Sequence, residues 1–519
     1  MGESGRSMLV EKRWLVVLIT VLIGLRYLVT LPYLTRPIPA SYHPGNEAVV
    51  TSAALLRYRY GLAALQVVAP LEGRVEARLH SWLTVPLLAL GYVEGGRLVS
   101  WLASLASLVV LFFIGRQGWD TRIGALGTFL LAVSPAFSLF SYHILPENLS
   151  ILFTSLAVLL AMLPSPLTRW RGGLLLAVFT LGALNHIWET AILLPLLILL
   201  YRKRAWSWMV GLLALGVLVS GVNILVFGTN YFQVPLSQQH HIRQYSFLHN
   251  ADLFLSPRWW LPVDRVGSFP NLVASGYFLL ALGGVLYAAY RWLRGDGDDR
   301  TLLLASWLVA GLVPIFLLPR HYISHDYSVW GTLVPVSLGL AIVADRVVER
   351  LDSRLVALLL FGGALVGIAF PIVAERRLQD QPYPLSEKLA VREAGFELSR
   401  YLAASGIEPD EIVLLVEPDH ATETARHYFS VHPRLAAFLL YAGVVPVYHN
   451  GLQQRVVDNI PPDQFPAPDV VGDPAEVPER TRLLIGTREV LAQDAIASVE
   501  AGRYERWLDL KGVVVLVRR

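Results

Sequence analysis

Residues 202–228 read RKRAWSWMVGLLALGVLVSGVNILVFG, a cluster of cations followed by an apolar run without a charged side chain. A helix of about 20 apolar residues is long enough to cross roughly 30 Å of hydrocarbon. The whole chain follows this pattern, since its 519 residues are 54% hydrophobic and 16% charged, with a mean hydropathy of +0.51. The bilayer is therefore the predicted solvent for most of the chain.

About eleven apolar segments of this kind can be drawn, and the sixth is the shortest. When the amino terminus is placed in the cytoplasm, the Arg and Lys clusters between the segments fall on the cytoplasmic side, in accord with the positive-inside rule. We predict an α-helical multi-pass protein of the cell (plasma) membrane, with a cytoplasmic amino terminus and an extracytoplasmic carboxy terminus. The predicted spans are 14–32, 96–115, 123–142, 149–164, 172–187, 190–201, 207–228, 271–291, 301–319, 327–345 and 355–374.

The chain divides near residue 374 into two predicted domains. Residues 1–374 form the transmembrane domain, with long outer loops at 33–95 and 229–270. In residues 375–519 short apolar runs alternate with polar ones, which is typical of a soluble α/β domain. Its predicted elements are helices at 387–404, 421–432 and 489–501, and strands at 412–416, 444–448 and 483–485 with a final pair ending at 513–517.

Charge and composition exclude several classes of protein. The net charge is only +3, so no basic field favours nucleic acid as a partner. The chain has no cysteine, which excludes disulfides, thiolate metal sites and cysteine nucleophiles. No glycine-rich phosphate-binding motif joins a predicted strand to a helix, so the carboxy-terminal domain is not predicted to bind nucleotides.

Polar and ionisable side chains gather at the outer ends of the predicted helices. Such groups are costly when they face lipid, so we expect a water-filled cavity between the bundle and the outer loops. The first loop also contains a predicted amphipathic helix, residues 47–60, lying along the membrane surface. The plainer explanation, that outer turns are wet and therefore polar, stays open for each residue. The residues concerned are His43, Asn46, Glu47, His80, Glu147, His186, Glu189, Arg320, His321, His325, Asp326 and Tyr327.

Many of these residues lie in motifs that follow one another in a familiar order. The motifs are 42–48 (YHPGNEA), 80–83 (HSWL), 129–135 (FLLAVSP), 142–147 (YHILPE), 184–195 and 325–327 (HDY). In this order they resemble the GT-C superfamily of polyprenyl-phosphate-dependent glycosyltransferases, in the branch of protein O-mannosyltransferases and lipid A aminoarabinose transferases. The first motif is similar to the family's His-Pro-Asp-Glu-Ala opening. The resemblance covers about residues 14–345.

The resemblance implies transfer of a sugar from a polyprenyl-phosphate-linked donor to an extracytoplasmic acceptor (a protein, lipid or glycan), with inversion at the anomeric carbon. Such a transfer needs a carboxylate base within ~3 Å of the acceptor hydroxyl and a cation near the leaving phosphate. Glu47 is the implied base, Glu147 and Asp326 are further catalytic carboxylates, and Arg320 suits the phosphate. The implied substrate-binding residues are Asn46, His43, His80, His186, Glu189, Arg320, His321, His325 and Tyr327.

Asn46 departs from the family's pattern, which has Asp at this position. An amide cannot accept a proton, so either Glu47 does the work, another carboxylate substitutes, or the activity is altered. His186 and Glu189 would share one face of a continuous helix, where they could bind a divalent ion or each other. The sequence identifies no cofactor, and a divalent metal ion stays open because the ligand set is not closed.

Two other classes of protein remain open. A transporter or flippase of lipid-linked sugars would also place polar groups between helices, although the chain shows no repeated halves and its ionisable residues lie at outer turns rather than at mid-span. A non-catalytic scaffold with the GT-C fold would explain Asn46. Arg26 is the exceptional mid-span charge, and it is expected to pair within the bundle.

Overall fold

A helical bundle leads into a small carboxy-terminal sheet. The computed structural model describes residues 3–37, 47, 50, 51, 54, 55, 58, 79–164, 167–185, 187–222, 269–317, 329–379, 385–415, 433–444, 469–471, 475, 477–491, 504–510 and 513–519. In this part of the chain the bundle helices are α1 (Glu3–Leu34), α2 (Leu79–Ala89), α3 (Gly95–Gly118), α4 (Thr121–Val133), α5 (Pro135–Phe140), α6 (Glu147–Met162), α7 (Arg169–Asn185), α8 (Leu193–Arg202), α9 (Trp206–Val222), α10 (Phe269–Leu293), α11 (Asp299–Leu317), α12 (Trp330–Val348) and α13 (Ser353–Gln379).

The prediction of a multi-pass membrane protein is confirmed. Each predicted span coincides with one or more of these helices, because backbone N–H and C=O groups in hydrocarbon must find their partners within the segment itself. Among the described residues five helices are long and apolar enough to cross a membrane, at 14–34, 95–118, 299–317, 330–348 and 353–373. The count of about eleven spans stays a prediction.

The predicted span 123–142 differs from the structure, because it consists of two helices, α4 and α5. Ser134 separates them with an extended backbone (φ −61°, ψ 131°), and its hydroxyl accepts a hydrogen bond from the Phe137 N–H at 3.2 Å. Pro135 has no N–H and cannot continue a helical ladder, but it suits the first position of a new helix. The Ser-Pro pair therefore ends one helix and begins the next.

The carboxy-terminal part is an α/β unit, as predicted. Its elements are α14 (Leu385–Ser405), β1 (Ile412–Leu415), α15 (Pro433–Ala442), β2 (Asp469–Val471), β3 (Leu483–Gly486), α16 (Arg488–Leu491), β4 (Tyr504–Leu510) and β5 (Val513–Arg518). The sheet order is β2-β1-β3-β5-β4, with β1 parallel to β2 and β3, and β5 antiparallel to β3 and β4. β1 and β3 are buried along their whole length, which explains their continuous apolar sequences.

Two carboxy-terminal elements, α15 and β2, were not predicted from the sequence. The predicted helix 421–432 lies outside the described residues, as does most of the predicted strand 444–448, of which Val444 is described and is not in a strand. The predicted helix 489–501 is described only to Leu491, where it is helical. The apolar run of α15 could have been assigned to a helix by its spacing. β2 has three described residues and lies at an edge of the sheet.

In the first predicted outer loop, residues 47, 50, 51, 54, 55 and 58 are described and helical, and we call this segment the outer-loop helix. That it lies along the membrane surface stays a prediction. These positions follow helical spacing, and all except Tyr58 are buried. Ala54 and Leu55 pack in one apolar cluster with Val93 before α3 and with Phe438 of α15. The buried face of this helix therefore packs against protein, and it connects the bundle to the carboxy-terminal unit.

Candidate functional site

A buried ion pair joins the outer-loop helix to the first turn of α3. Glu47 is 0% exposed and Arg97 is 2% exposed. Arg97 Nε donates to Glu47 Oε1 at 3.1 Å and to Oε2 at 3.2 Å, and Arg97 Nη2 donates to Oε2 at 2.5 Å. Such a bidentate contact between a guanidinium and a carboxylate is among the strongest charge-assisted interactions in proteins. The pair therefore fixes Glu47 in one orientation.

Glu47 also holds the outer turn, residues 141–146, between α5 and α6. The Ile144 N–H donates to Glu47 Oε1 at 3.0 Å. Gly96 permits close packing at the same place, because a Cβ there would lie 2.8 Å from Ile144 Cγ2 and 3.3 Å from His80 Cε1. The structure thus brings Glu47, His80 and the outer turn together around the start of α3.

The pKa of Glu47 lies below its ordinary value. Burial alone would raise the pKa, but the charge and hydrogen bonds of Arg97 outweigh that effect, with smaller contributions from His143 and the Ile144 N–H. Glu47 is therefore ionised at neutral pH. It can accept a hydrogen bond, and it compensates the buried charge of Arg97.

Acidification is expected to remove the stabilisation that this ion pair provides. Because the pKa of Glu47 is lower in the folded protein than in the unfolded chain, its contribution to the free energy of unfolding is present above the unfolded value of about 4.3 and is lost as the pH falls through the folded pKa. The melting temperatures of the wild type and Glu47→Gln should differ most near neutral pH, and the difference should shrink progressively as the pH falls below the unfolded value of about 4.3 towards the lower folded pKa. A difference in melting temperature that persists unchanged at the lowest pH would contradict the lowered pKa of Glu47.

Arg97 ties the ion pair to the end of α1 as well. Its Nη1 donates to the backbone carbonyls of Tyr33, at 3.0 Å, and of Arg36. The Tyr33 ring stacks on Tyr142 of the outer turn, with centroids 5.2 Å apart. From its place in α3, the guanidinium therefore donates hydrogen bonds both to Glu47 of the outer-loop helix and to the end of α1. Lys lacks the planar, forked arrangement of donors that allows Arg to make these contacts together.

His80 lies in α2 with its side chain turned into the protein. Its Nε2 lies 2.9 Å from Ser100 Oγ of α3, and its backbone N–H donates to Asn185 Oδ1 at 3.3 Å. Asn185 Nδ2 donates in turn to the Pro146 carbonyl at 2.8 Å and to Ser150 Oγ at 3.1 Å. This network connects α2 and α7 to the outer turn, so His80 has a clear structural role beside its predicted substrate contact.

Glu147 is the first residue of α6 and is 7% exposed. An acidic side chain in the first helical turn is favoured by the helix dipole, which was the plainer explanation of this residue. The next residue, Asn148, donates from Nδ2 to the Phe140 carbonyl at 3.1 Å and so closes the outer turn. The position of Glu147 agrees with both a structural role and a catalytic one.

The other predicted site residues lie partly or wholly outside the described residues. The Glu189 backbone belongs to a 3-10 helix at Ile187–Ile192, but its side chain is outside the described set. The predicted site residues that lie wholly outside the described residues are His43, Asn46, His186, Arg320, His321, His325, Asp326 and Tyr327. Their roles stay predictions.

Sequence reasoning missed Arg97, although a signal was present. Every cation cluster used to orient the chain falls on the predicted cytoplasmic side, whereas Arg97 lies at the opposite end of its apolar run. A lone cation on the outer side of a span goes against the positive-inside pattern and suggests a specific partner. Here that partner is Glu47, which lies 50 residues earlier in the chain.

Arg26 is buried within the bundle at 1% exposure, and it pairs there as expected. Its Nη2 donates to the Ser138 carbonyl at 2.8 Å and to Ser141 Oγ at 2.5 Å, near the carboxyl end of α5. The guanidinium also lies 4.4 Å from the centroid of the Tyr27 ring. Carbonyls at the end of a helix carry partial negative charge, so they suit a buried cation.

Among the described residues no group of three or more His, Asp or Glu side chains could hold a metal ion. Glu47 is engaged with Arg97, and His80 with Ser100. The described residues therefore offer no set of ligands for the divalent ion that the sequence left open.

No family model and no curated protein matches the sequence. Solved structures do match: ArnT from Cupriavidus metallidurans in the apo state has a TM-score of 0.51 at 14% identity, covering 98% of both chains. ArnT bound to undecaprenyl phosphate has a TM-score of 0.50 at 14% identity, covering 97% of both chains. AglB from Archaeoglobus fulgidus, in complex with an inhibitory peptide and a dolichol-phosphate, has a TM-score of 0.48 at 11% identity and covers 97% of this chain and 74% of that one.

The apolar helices and the small sheet thus define a polytopic membrane protein with a carboxy-terminal α/β unit. Its fold is similar to that of ArnT over nearly the full length of both chains. The predicted fold class is confirmed.

Proposed function

We propose that this protein is an integral-membrane glycosyltransferase that moves a sugar from a polyprenyl-phosphate-linked donor to an extracytoplasmic acceptor. The proposal rests chiefly on the ArnT fold, which extends over 97% of the ArnT chain that binds undecaprenyl phosphate. The buried carboxylate of Glu47 at one end of the bundle supports it. The amino terminus is proposed to be cytoplasmic, with the site and the α/β unit outside the plasma membrane.

The proposed reaction is a single displacement with inversion. The acceptor oxygen forms a bond to the anomeric carbon while the bond from that carbon to the phosphate oxygen breaks, and the electron pair leaves with the phosphate. The acceptor proton passes to a carboxylate base, which typically contributes 10²–10⁴-fold to the rate. Arg320 is proposed to stabilise the leaving phosphate, and polar residues such as His43, Asn46 and His80 to bind the sugar.

Glu47 is our first candidate for the base, because it is ionised and rigidly oriented. Both of its oxygens already accept hydrogen bonds, and a lowered pKa makes a carboxylate a weaker base. Glu147 and Asp326 are therefore kept as alternative bases. In that case Glu47 would act by orienting Arg97 and the outer turn.

The test uses purified protein in proteoliposomes with undecaprenyl phosphate linked to a radiolabelled sugar, and membranes of the native host as the source of acceptors. We expect label to move from lipid to acceptor with the polyprenyl-phosphate donors, and no movement with nucleotide sugars. An inactive Glu47→Gln/Glu147→Gln/Asp326→Asn triple variant is the control. Label that crosses the bilayer while still attached to the lipid would favour a flippase instead. A lack of both transfer and translocation with every donor would overturn the proposal in favour of a scaffold.

A further inference from the structure

A second polar cluster lies one helical turn from Arg97 and joins the ion pair to the carboxy-terminal unit. Glu94 immediately precedes α3 and is 1% exposed. The Tyr441 hydroxyl of α15 donates to Glu94 Oε1 at 2.9 Å, and Arg392 Nε of α14 lies 3.3 Å from the same oxygen. We call these three residues, Glu94, Arg392 and Tyr441, the Glu94 clasp. It connects positions that are 347 residues apart in the chain.

The clasp acts on the same turn of helix that carries Arg97. The backbone N–H of Arg97 donates to the Glu94 carbonyl at 2.9 Å, so both residues belong to the first turn of α3. Arg97 in turn holds Glu47, and Glu47 accepts from the Ile144 N–H. A displacement of Glu94 would therefore pass through one helical turn and the Arg97–Glu47 contact to Glu47, and through one further hydrogen bond to Ile144.

The end of α1 is held from both sides. Arg97 Nη1 donates to the Tyr33 carbonyl at 3.0 Å and to the Arg36 carbonyl, while Arg392 Nη1 donates to the Thr35 carbonyl at 3.4 Å. The cation of the ion pair and the cation of the clasp thus bind consecutive parts of one short segment. The carboxy-terminal unit and the candidate site share this segment as well as the start of α3.

Apolar contacts also attach the carboxy-terminal unit, beside the clasp. Leu55 of the outer-loop helix and Val93 pack in the same apolar cluster as Leu398 and Phe438 of that unit. Apolar burial is not directional, so it holds two surfaces together without fixing their relative position. Hydrogen bonds to a buried carboxylate are directional, and they select one arrangement among several with similar apolar contact.

We propose that the carboxy-terminal α/β unit positions the candidate catalytic carboxylate, with Tyr441 and Arg392 acting through Glu94 and Arg97 on Glu47. This inference rests on the proposed function for its catalytic consequence, but its structural consequence stands independently. Glu94, Arg392 and Tyr441 are positioning residues. Glu94 contacts Arg97, and the other two contact Glu94 itself rather than the reacting atoms.

The test compares Tyr441→Phe, Glu94→Gln and the double variant with the wild type, in full-length protein in proteoliposomes. Tyr401→Phe is the matched control, because Tyr401 lies in the same unit, in α14, and its ring packs on Trp507 at 5.3 Å, away from the clasp. Two quantities are measured: sugar transfer from undecaprenyl-phosphate donors, and hydrogen exchange at the Ile144 amide, which reports directly on Glu47.

We expect each single variant to lower kcat about tenfold with little change in the KM for the donor, and to speed Ile144 exchange at least several-fold. The double variant should be no worse than the poorer single variant, because both act through one clasp. Tyr401→Phe should match the wild type in both measurements.

Unchanged Ile144 exchange in both single variants would overturn the inference, whatever the transfer rates. A fall in transfer that is additive in the double variant would overturn it too, since the two residues would then act separately. If the exchange responds as expected but the wild type transfers no sugar, the proposed function fails while the positioning role stands.

A further pair of variants tests Arg392. Arg392→Lys, which retains the charge, should keep more of the protection of the Ile144 amide from exchange than Arg392→Met does.

Discussion

Glu47→Gln is expected to reduce sugar transfer by at least about 10²-fold and to destabilise the protein at the same time. The substitution removes the charge that compensates Arg97, which is 2% exposed. Removing one partner of a buried ion pair typically costs ~3–5 kcal/mol, because the other charge is left uncompensated. Transfer is measured with radiolabelled donor, and stability by thermal unfolding of the purified protein at neutral pH.

A second substitution separates the two effects. Arg97→Met in the Glu47→Gln background removes the uncompensated charge, so we expect much of the lost melting temperature to return. Transfer should stay low, because the carboxylate is still absent. If transfer recovered together with stability, Glu47 would be a purely structural residue, and the base would have to be Glu147 or Asp326. A double variant as unstable as the single one would contradict the ion-pair argument.

Gly115→Ala is expected to cause a large loss of stability by separating α3 from α4. A Cβ at Gly115 would lie 2.5 Å from Gly124 Cα and 2.8 Å from Gly124 N. Those are backbone atoms and cannot rotate away, so the helices themselves must move. Overpacking of this kind costs typically ~1–3 kcal/mol, and we expect the upper part of that range. The melting temperature of the purified protein in detergent provides the measurement.

Gly24→Ala is the matched control, in α1. A Cβ at Gly24 meets no atom within 4 Å, so the methyl group fits without displacement. Because Gly weakens a helix by roughly 0.5–1 kcal/mol relative to Ala, this variant should be as stable as the wild type or slightly more stable. If the Gly115→Ala protein melted at the same temperature as the Gly24→Ala protein, the close contact at Gly115 would not be what holds α3 and α4 together.

The membrane part of the fold could be predicted from local sequence because the bilayer leaves few options. A segment in hydrocarbon must satisfy its own backbone hydrogen bonds, so an apolar run of sufficient length is a helix. The same rule does not set helix ends within the bundle. The break at Ser134 was missed because apolarity continues through the Ser-Pro pair, although Pro135 carried the signal.

The candidate site was predicted only in part. The resemblance of motifs directed attention to Glu47, and the outer-loop helix was predicted from its spacing. His80 and Glu147 were named for catalysis or binding, and the structure shows both of them buried beside the outer turn. Sequence reasoning placed them on one side of the bundle but did not give their contacts, because these are created by the packing of α2, α3 and α6 rather than by any spacing along the chain.

The sequence by itself determined the solvent of this protein, its helical class and its small carboxy-terminal α/β unit, and it directed attention to the carboxylate of Glu47. Tertiary structure alone decided which cation compensates that carboxylate and how the carboxy-terminal unit reaches it. Hydropathy and helical spacing are local properties, and they report the environment of a residue. The Glu47–Arg97 pair and the Tyr441–Glu94 hydrogen bond join residues 50 and 347 positions apart, so they depend on how whole elements pack.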